Sequence, residues 1–243
     1  MAKAPRPWLV RWVRRVRRAL IVLVLIPPAL LLLFRFVPPP TTPYALAEGV
    51  RLGGIERDWV PLEGIAPALA RSVVAAEDAN FCLHWGFDME AIRAALADGG
   101  SRGASTISQQ TVKNVLLWQG RSWPRKALEA GLTPLAELVW PKRRMLELYL
   151  NVAEMGEGVF GAEAAARHWF GVSAAELTDL QAARLAAILP SPKRRDPASP
   201  GAFVRRRAEA IMDGAATIRR DGRAECFEGS VGEGAPSPRP SGG

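Results

Sequence analysis

The chain has 243 residues, 49% of them hydrophobic, and a formal net charge of +8, enough for one large domain or two small ones around a sizeable core. The charge does not mark a nucleic-acid binder. Lys3, Arg6, Arg11, Arg14, Arg15, Arg17 and Arg18 carry nearly all of it within the first 18 residues, without an acid, and the body is near neutral with local basic clusters.

Residues 1–18 read as a basic leader, and Ala19 to Val37 as an apolar stretch whose one charge, Arg35, lies near its far end and can snorkel to headgroups. Nineteen residues at a helical rise span roughly 28 Å, about one bilayer core. Pro27-Pro28 predicts a kink, which membrane helices tolerate. The basic flank places the N-terminus in the cytoplasm and the rest of the chain outside. The expectation is a retained single-pass anchor at 19–37. A signal peptide cut at Ala45-Leu46-Ala47 and a buried soluble helix are the alternatives.

Residues 38–49 read as a stiff Pro/Thr-rich linker, 50–221 as a helical globular region, and 222–243 as a Gly/Ser/Pro/Glu tail without fixed structure, anchored at most by Cys226-Phe227. A small hairpin is expected over Val50–Val60, turning at Gly53-Gly54. Apolar spacing predicts helices over Ile65–Ala76, Leu128–Trp140 with a kink at Pro134, Arg144–Ala153 and Ala162–Trp169. Capping boxes at Thr106-x-x-Gln109 and Ser173-x-x-Glu176 open two more, the second stopped by Pro190 and Pro192. The run Lys142-Arg143-Arg144 reads as the solvated start of a surface helix. Cys82 and Cys226 are free to pair in an oxidising compartment, but spacing does not show proximity, and a free, buried Cys82 is expected.

Two segments concentrate polar chemistry. Glu77 ends the apolar run Val73-Val74-Ala75-Ala76, where burial would raise its pKa and suit it to accept a proton; a surface acid ending a helix is the plain alternative. Gly103 to Asn114 sets the hydroxyls of Ser105 and Thr106, then Gln109, Gln110, Lys113 and Asn114, around the start of a helix. That pattern suits an anion, or equally a well-capped helix with a solvated face. Arg121, Arg125 and Lys126 with Glu129 form either a phosphate-binding cluster or a salt-bridged surface helix. His84 and His168 are too few to argue for a metal site, and His84 reads as structural. No Ser-x-x-Lys motif is present to supply an acyl-serine nucleophile.

Together these motifs resemble the peptidoglycan glycosyltransferases, also found as one half of bifunctional penicillin-binding proteins. The likeness rests on five ordered motifs between about Ser72 and Pro197. They are Glu77-Asp78-x-x-Phe81-x-x-His84-x-Gly86; Gly103-x-Ser105-Thr106-Ile107-x-Gln109-Gln110-x-x-Lys113-Asn114; Arg125-Lys126-x-x-Glu129; Leu146-Glu147-x-Tyr149-Leu150-Asn151 with Gly156, Gly161 and Ala164; and Leu177-Thr178 through Pro192. A single anchor and the absence of a second domain look like the family's monofunctional biosynthetic branch. The resemblance implies a mainly α, lysozyme-like domain with a small membrane-associated lobe, and polymerisation of lipid II with inversion at the donor's anomeric carbon. It assigns Glu77 as general base and Glu129 as an assisting acid. Lys113, Arg121 and Arg125 would neutralise the leaving pyrophosphate, and Ser105, Gln109 and Lys126 would position it. It implies no obligatory cofactor, with a divalent cation such as Mg2+ as an optional assistant. The implied partners are lipid II, the lipid-linked glycan strand, the membrane and other cell-wall synthases, and no nucleic acid. A lytic enzyme using the same glutamate as an acid, and a catalytically silent scaffold, are the rival readings.

Overall fold

The structure, a computed structural model, describes residues 7–99, 103–120 and 122–229. It is mainly helical. Helix α1 (Pro7–Phe34) runs through the leader and the apolar stretch and contains Pro27 and Pro28. Among the described residues no helix is long and apolar enough to cross a membrane, so the span at 19–37 rests on the sequence alone. The end of α1 is docked. Leu31 and Phe34 are buried, and side-chain donors reach two carbonyls of the last turn, that of Leu31 in addition to the Arg35 amide it already accepts from. Trp140 Nε1 donates to Leu31 O at 2.8 Å, and Arg144 Nε to Phe34 O at 3.0 Å.

The linker reading stops short. Helix α2 (Pro43–Leu52) begins inside it, with Thr42 accepting from the Ala45 amide and Pro43 in the first turn. No hairpin forms over 50–60, because Val50 lies in α2 and Gly53 ends that helix in the left-handed region at φ 76°. Strand β1 (Glu56–Arg57) instead runs parallel to β3 (Val159–Phe160), which pairs antiparallel with β2 (Glu154–Gly156). Asn151 pins the following chain by exchanging two hydrogen bonds with the Val60 backbone. Gly161, at φ 90°, has no room for a side chain, since a Cβ there would lie 2.9 Å from Asn151 O.

Two helical groups position the site. In the first, α3 (Pro67–Glu77), α9 (Asp179–Ile188) and α10 (Ala202–Arg220) pack on one another. Small residues permit the close approach: Ala182, Ala183, Ala186 and Ala187 of α9 are buried, and a Cβ on Gly214 would come within 3.2 Å of Ala75. In the second, α5 (Ile107–Leu116) lies against α6 (Trp123–Val139) and α7 (Lys142–Val152), while α1 rests on α6. Helices α4 (Met89–Ala97) and α8 (Ala162–Phe170) complete the body. Both expected capping boxes form, at Thr106/Gln109 and Ser173/Glu176, but the second caps only a 3-10 turn at Ala174–Glu176; the helix expected to follow it, α9, is opened instead by a third box, Thr178/Gln181.

The run at 142–144 is not a solvated surface. Lys142 Nζ bonds buried Glu137 at 2.8 Å and lies 4.5 Å from the centre of the Phe81 ring. Arg144 pairs with Glu147, and Arg143 donates to Phe227 O at 2.5 Å. Lys142 and Arg144 are held by acids of α6 and α7, while Arg143 also meets exposed Glu63 and keeps part of its side chain in solvent.

The tail reading is corrected up to Gly229. A short helix α11 (Glu225–Glu228) lies on α7, Phe227 is 1% exposed, and Arg71 Nη1 meets Glu228 at 2.6 Å. Cys82 is not free: it forms a disulfide with Cys226, 144 residues away. A packed aromatic and a crosslink supply what the polar composition of this segment does not; the rest of the expected tail, 230–243, lies outside the described residues. Replacing both cysteines by serine is expected to remove roughly 2–4 kcal/mol of stability, because the bond restricts a long loop in the unfolded chain. Urea denaturation of the two forms in one detergent checks this; coincident midpoints would mean that Phe227 and its ion pairs hold the segment unaided.

Candidate active site

The site forms where the end of α3 meets the start of α5. Asp78 leaves the helical path directly after Glu77, and its carboxylate accepts from the Ile107 amide at 2.9 Å and from His84 Nε2 at 2.8 Å. An acid at the first turn of α5 satisfies an open amide and complements the helix dipole. Thr106 adds a second tie, donating to Gly86 O at 2.7 Å. Gly86 is required there: at φ 87°, a Cβ would sit 2.9 Å from Thr133. His84 is therefore structural, as its sequence context suggested.

Glu77 faces the resulting cleft. Its side chain is 14% exposed, and Oε2 accepts from Gln110 Nε2 at 3.2 Å. The Gln110 carbonyl in turn accepts from the buried Tyr149 hydroxyl at 3.3 Å, which fixes the direction of the amide. Burial raises the Glu77 pKa above the usual carboxylate range; Gln110, Arg207 and Lys113 oppose the shift, and Asp78 adds to it. Burial likewise lowers the pKa of Lys113, opposed chiefly by Glu129 and slightly by Glu77, while Arg125 and Lys126 add to it. Lys113 thus lies within the fields of both carboxylates.

Glu129 is 3% exposed and fully engaged. Arg125 Nη1 reaches one oxygen at 2.7 Å, and Lys126 Nζ binds the other. Arg125 also donates to Gly120 O at 2.8 Å. Ser105 joins the two halves: its carbonyl receives Gln110 Nε2 at 3.3 Å, and its hydroxyl receives Lys126 Nζ at 3.3 Å. Two hollows flank this bridge. One of about 270 Å³ is lined by Glu77, Asp78, Asn80, Gly103 and Ser105, and one of about 280 Å³ by Ser122, Trp123, Arg125 and Lys126.

Of the residues singled out in the sequence, Glu77, Ser105, Lys113, Arg125, Lys126 and Glu129 converge on this cleft. Gln109 lies beneath it, buried, with its side-chain carbonyl accepting from the Thr106 amide. Arg121 lies outside the described residues. Among the described residues no three His, Cys, Asp or Glu side chains cluster as a metal site. With both Glu129 oxygens taken by cations, the residues present do not form a seat for a divalent ion. The sequence reading passed over Arg207, on α10, whose Nη2 stands 3.8 Å from Glu77 Oε1. The apolar spacing Val204, Ala208, Ile211, Ala215, Ile218 would have marked its helix.

A helical body carrying a buried carboxylate beside a cation cluster can hold an anionic ligand next to a proton acceptor. Comparison narrows this to one family. The Transglycosylase family model matches residues 47–216. A biosynthetic peptidoglycan transglycosylase of Jannaschia sp. (strain CCS1) is 63% identical over 227 residues, covering 93% of this chain and 92% of that protein. Proteins of the same description from Caulobacter vibrioides and Pseudomonas putida KT2440 are 50% and 51% identical, covering 89% and 81% of this chain and 98% and 87% of their own lengths. The chain belongs to the transglycosylase family.

Because burial raises the Glu77 pKa, its contribution to stability is present below the unfolded-state pKa and is lost as pH rises through the folded value. Glu77→Gln should therefore melt at the same or a higher temperature than the native protein near neutral pH, with the difference closing in acid. A lower melting temperature at neutral pH would show that Gln110 and Arg207 more than offset the burial.

Proposed function

We infer that the protein polymerises peptidoglycan glycan strands, using lipid II as donor and releasing lipid pyrophosphate. The observation that carries this reading is the Ser105 bridge, which holds a carboxylate of raised proton affinity beside a cation cluster in one cleft. Glu77 accepts the proton of the acceptor's 4-hydroxyl as that oxygen attacks the donor's anomeric carbon from the face opposite the pyrophosphate, which inverts the centre. Lys113, Arg125 and Lys126, with Arg121, stabilise the charge that grows on the departing pyrophosphate. Ser105 and Gln109 act through position, Ser105 by aiming Lys126 and Gln109 by fixing the start of α5. Glu129 holds Arg125 and Lys126 in place. No step is routed through a metal ion; Mg2+, where it assists, would do so on the substrate's pyrophosphate. A glycan-cleaving enzyme would have no use for this cation cluster, and a scaffold would have no use for a buried, partly uncompensated acid.

Both substrates carry lipid tails, and the surface near the cleft suits a membrane. Trp123 is 88% exposed, and Leu128, Leu135 and Leu138 stand exposed along α6, the helix on which α1 rests. With the apolar stretch 19–37 as a single-pass anchor and the basic leader in the cytoplasm, the catalytic domain lies outside the plasma membrane. The Cys82–Cys226 bond accords with that oxidising side. Other cell-wall synthases sharing this substrate pool are the proposed protein partners.

The purified full-length protein should polymerise lipid II, and Glu77→Gln should lose on the order of 10²–10⁴-fold in rate with its fold intact. Wild-type rates from the glutamine variant would remove Glu77 from the role of base. The reaction needs Glu77 ionised and Lys113 protonated, so the rate falls in acid as Glu77 gains a proton and in alkali as Lys113 loses one. Burial moves both limits inward. Lys113→Arg, which keeps its charge to higher pH, should extend the alkaline side of the profile; an unchanged alkaline limb would assign that limb to another group.

A further inference from the structure

Arg207 reaches the end of α3 from α10 and meets the Glu77 oxygen that Gln110 does not hold. Its Nη2 lies 3.8 Å from Glu77 Oε1 and 3.5 Å from Ala76 O, and its side chain is 33% exposed. Its Nε is buried without a hydrogen-bond partner, and among the described residues Glu77 is the one acid with which it forms an ion pair. The pairing is long for an ion pair. It biases the carboxylate without locking it in a bidentate clasp that would block proton transfer.

We propose that Arg207 is a positioning residue for the transfer reaction: it keeps the Glu77 carboxylate ionised by facing the oxygen that Gln110 does not hold. The other groups acting on Glu77 do not replace it. From α5, Gln110 supplies a neutral hydrogen bond, and Lys113 is a cation shared with the Glu129 cluster. From α7, Tyr149 is buried and reaches Glu77 only through Gln110. Asp78, next in the chain, opposes ionisation. Arg223, after α10, donates to Ala79 O but is paired with Asp221. Lys113 must also face the pyrophosphate, so Arg207 is the cation that stays with the base while the donor occupies the others. This assignment rests on Glu77 acting as general base.

The test is the pH profile of lipid II polymerisation by the full-length protein and its Arg207→Gln and Arg207→Lys variants. Arg207→Gln should displace the acidic limb to higher pH, with a rate loss of about 10-fold on that limb that shrinks to within about 2-fold on the plateau above it. Arg207→Lys, which keeps the charge, should retain the native shape. A loss in Arg207→Gln that is equal at every pH, or no loss, overturns the proposal, since a structural role would lower the rate without moving the limb. Arg207→Met, which keeps the aliphatic stem against α3, serves in place of the glutamine variant should that one fail to fold. Glu77→Gln in the same series separates the two ideas. If it is active, the base assignment fails. If it is inactive while the Arg207→Gln limb stays in place, only the role of Arg207 fails.

Discussion

The Asp78 carboxylate accepts from the first amide of α5 and from His84, and so joins the end of one helix to the start of another through a single buried charge. Everything that faces the cleft is placed relative to that joint. Glu77 precedes Asp78 by one residue, so its backbone is fixed by whatever holds Asp78. Gln110 and Lys113 follow one and two turns along the helix that Asp78 starts. The joint is backed by Thr106 on Gly86 O and by a glycine that leaves no space for a side chain. A base that must meet a hydroxyl within hydrogen-bond reach benefits from a backbone held on several sides.

Glu77 and Glu129 are the same residue type in opposite circumstances. Glu129 is buried with two cations, one on each oxygen, and works as an electrostatic brace. Glu77 is buried with a neutral amide and one distant guanidinium, and its charge is only partly offset. Removing water from both makes their partners decide their roles: full pairing gives a brace for two cations, and partial pairing leaves a carboxylate of raised proton affinity. The cations at Glu129 retain capacity for a ligand because a carboxylate neutralises only part of their combined charge.

The helices that bury a regular apolar face, α3, α7 and α8, were legible to within a few residues, as was the Thr106 capping box, because both signals are local; α6 begins five residues before its expected start and buries Arg125, Glu129 and Glu137 while Leu128, Leu135 and Leu138 stay exposed. The acids and bases of the cleft were legible through their motifs, though which of them touch was not. That Gln109 turns inward as a cap while Gln110 reaches Glu77 depends on the rotation of α5, which Asp78 sets from 29 residues away. The disulfide and the ordered segment up to Gly229 were misread for one reason: each depends on a partner distant in sequence, and the local composition around it is polar. At 142–144 the acids are near, Glu137 for Lys142 and Glu147 for Arg144, and the sequence does not show the Phe81 ring, Phe34 O and Phe227 O that the three cations also meet. Arg207 was passed over because α10 was not read as a helix, and an arginine in the run Arg205-Arg206-Arg207 is indistinguishable from a solvated one until its helix is packed.

These distant partners have a common target. Cys226 bonds Cys82, Phe227 packs beside Phe81 with ring centres 6.5 Å apart, Arg223 holds Ala79 O, and Arg207 holds Ala76 O and faces Glu77. All four come from α10 or the segment after it, and all four touch the stretch Ala76–Cys82 at the end of α3. A polar loop that leaves a helix beside a buried acid would otherwise be among the less stable parts of the fold, because its own residues contribute little apolar burial. Bringing the far end of the chain back onto it supplies a crosslink, an aromatic contact and two guanidinium ties from outside the cleft. The inner face is left free for substrate, and the orientation of Glu77 does not depend on the substrate being bound.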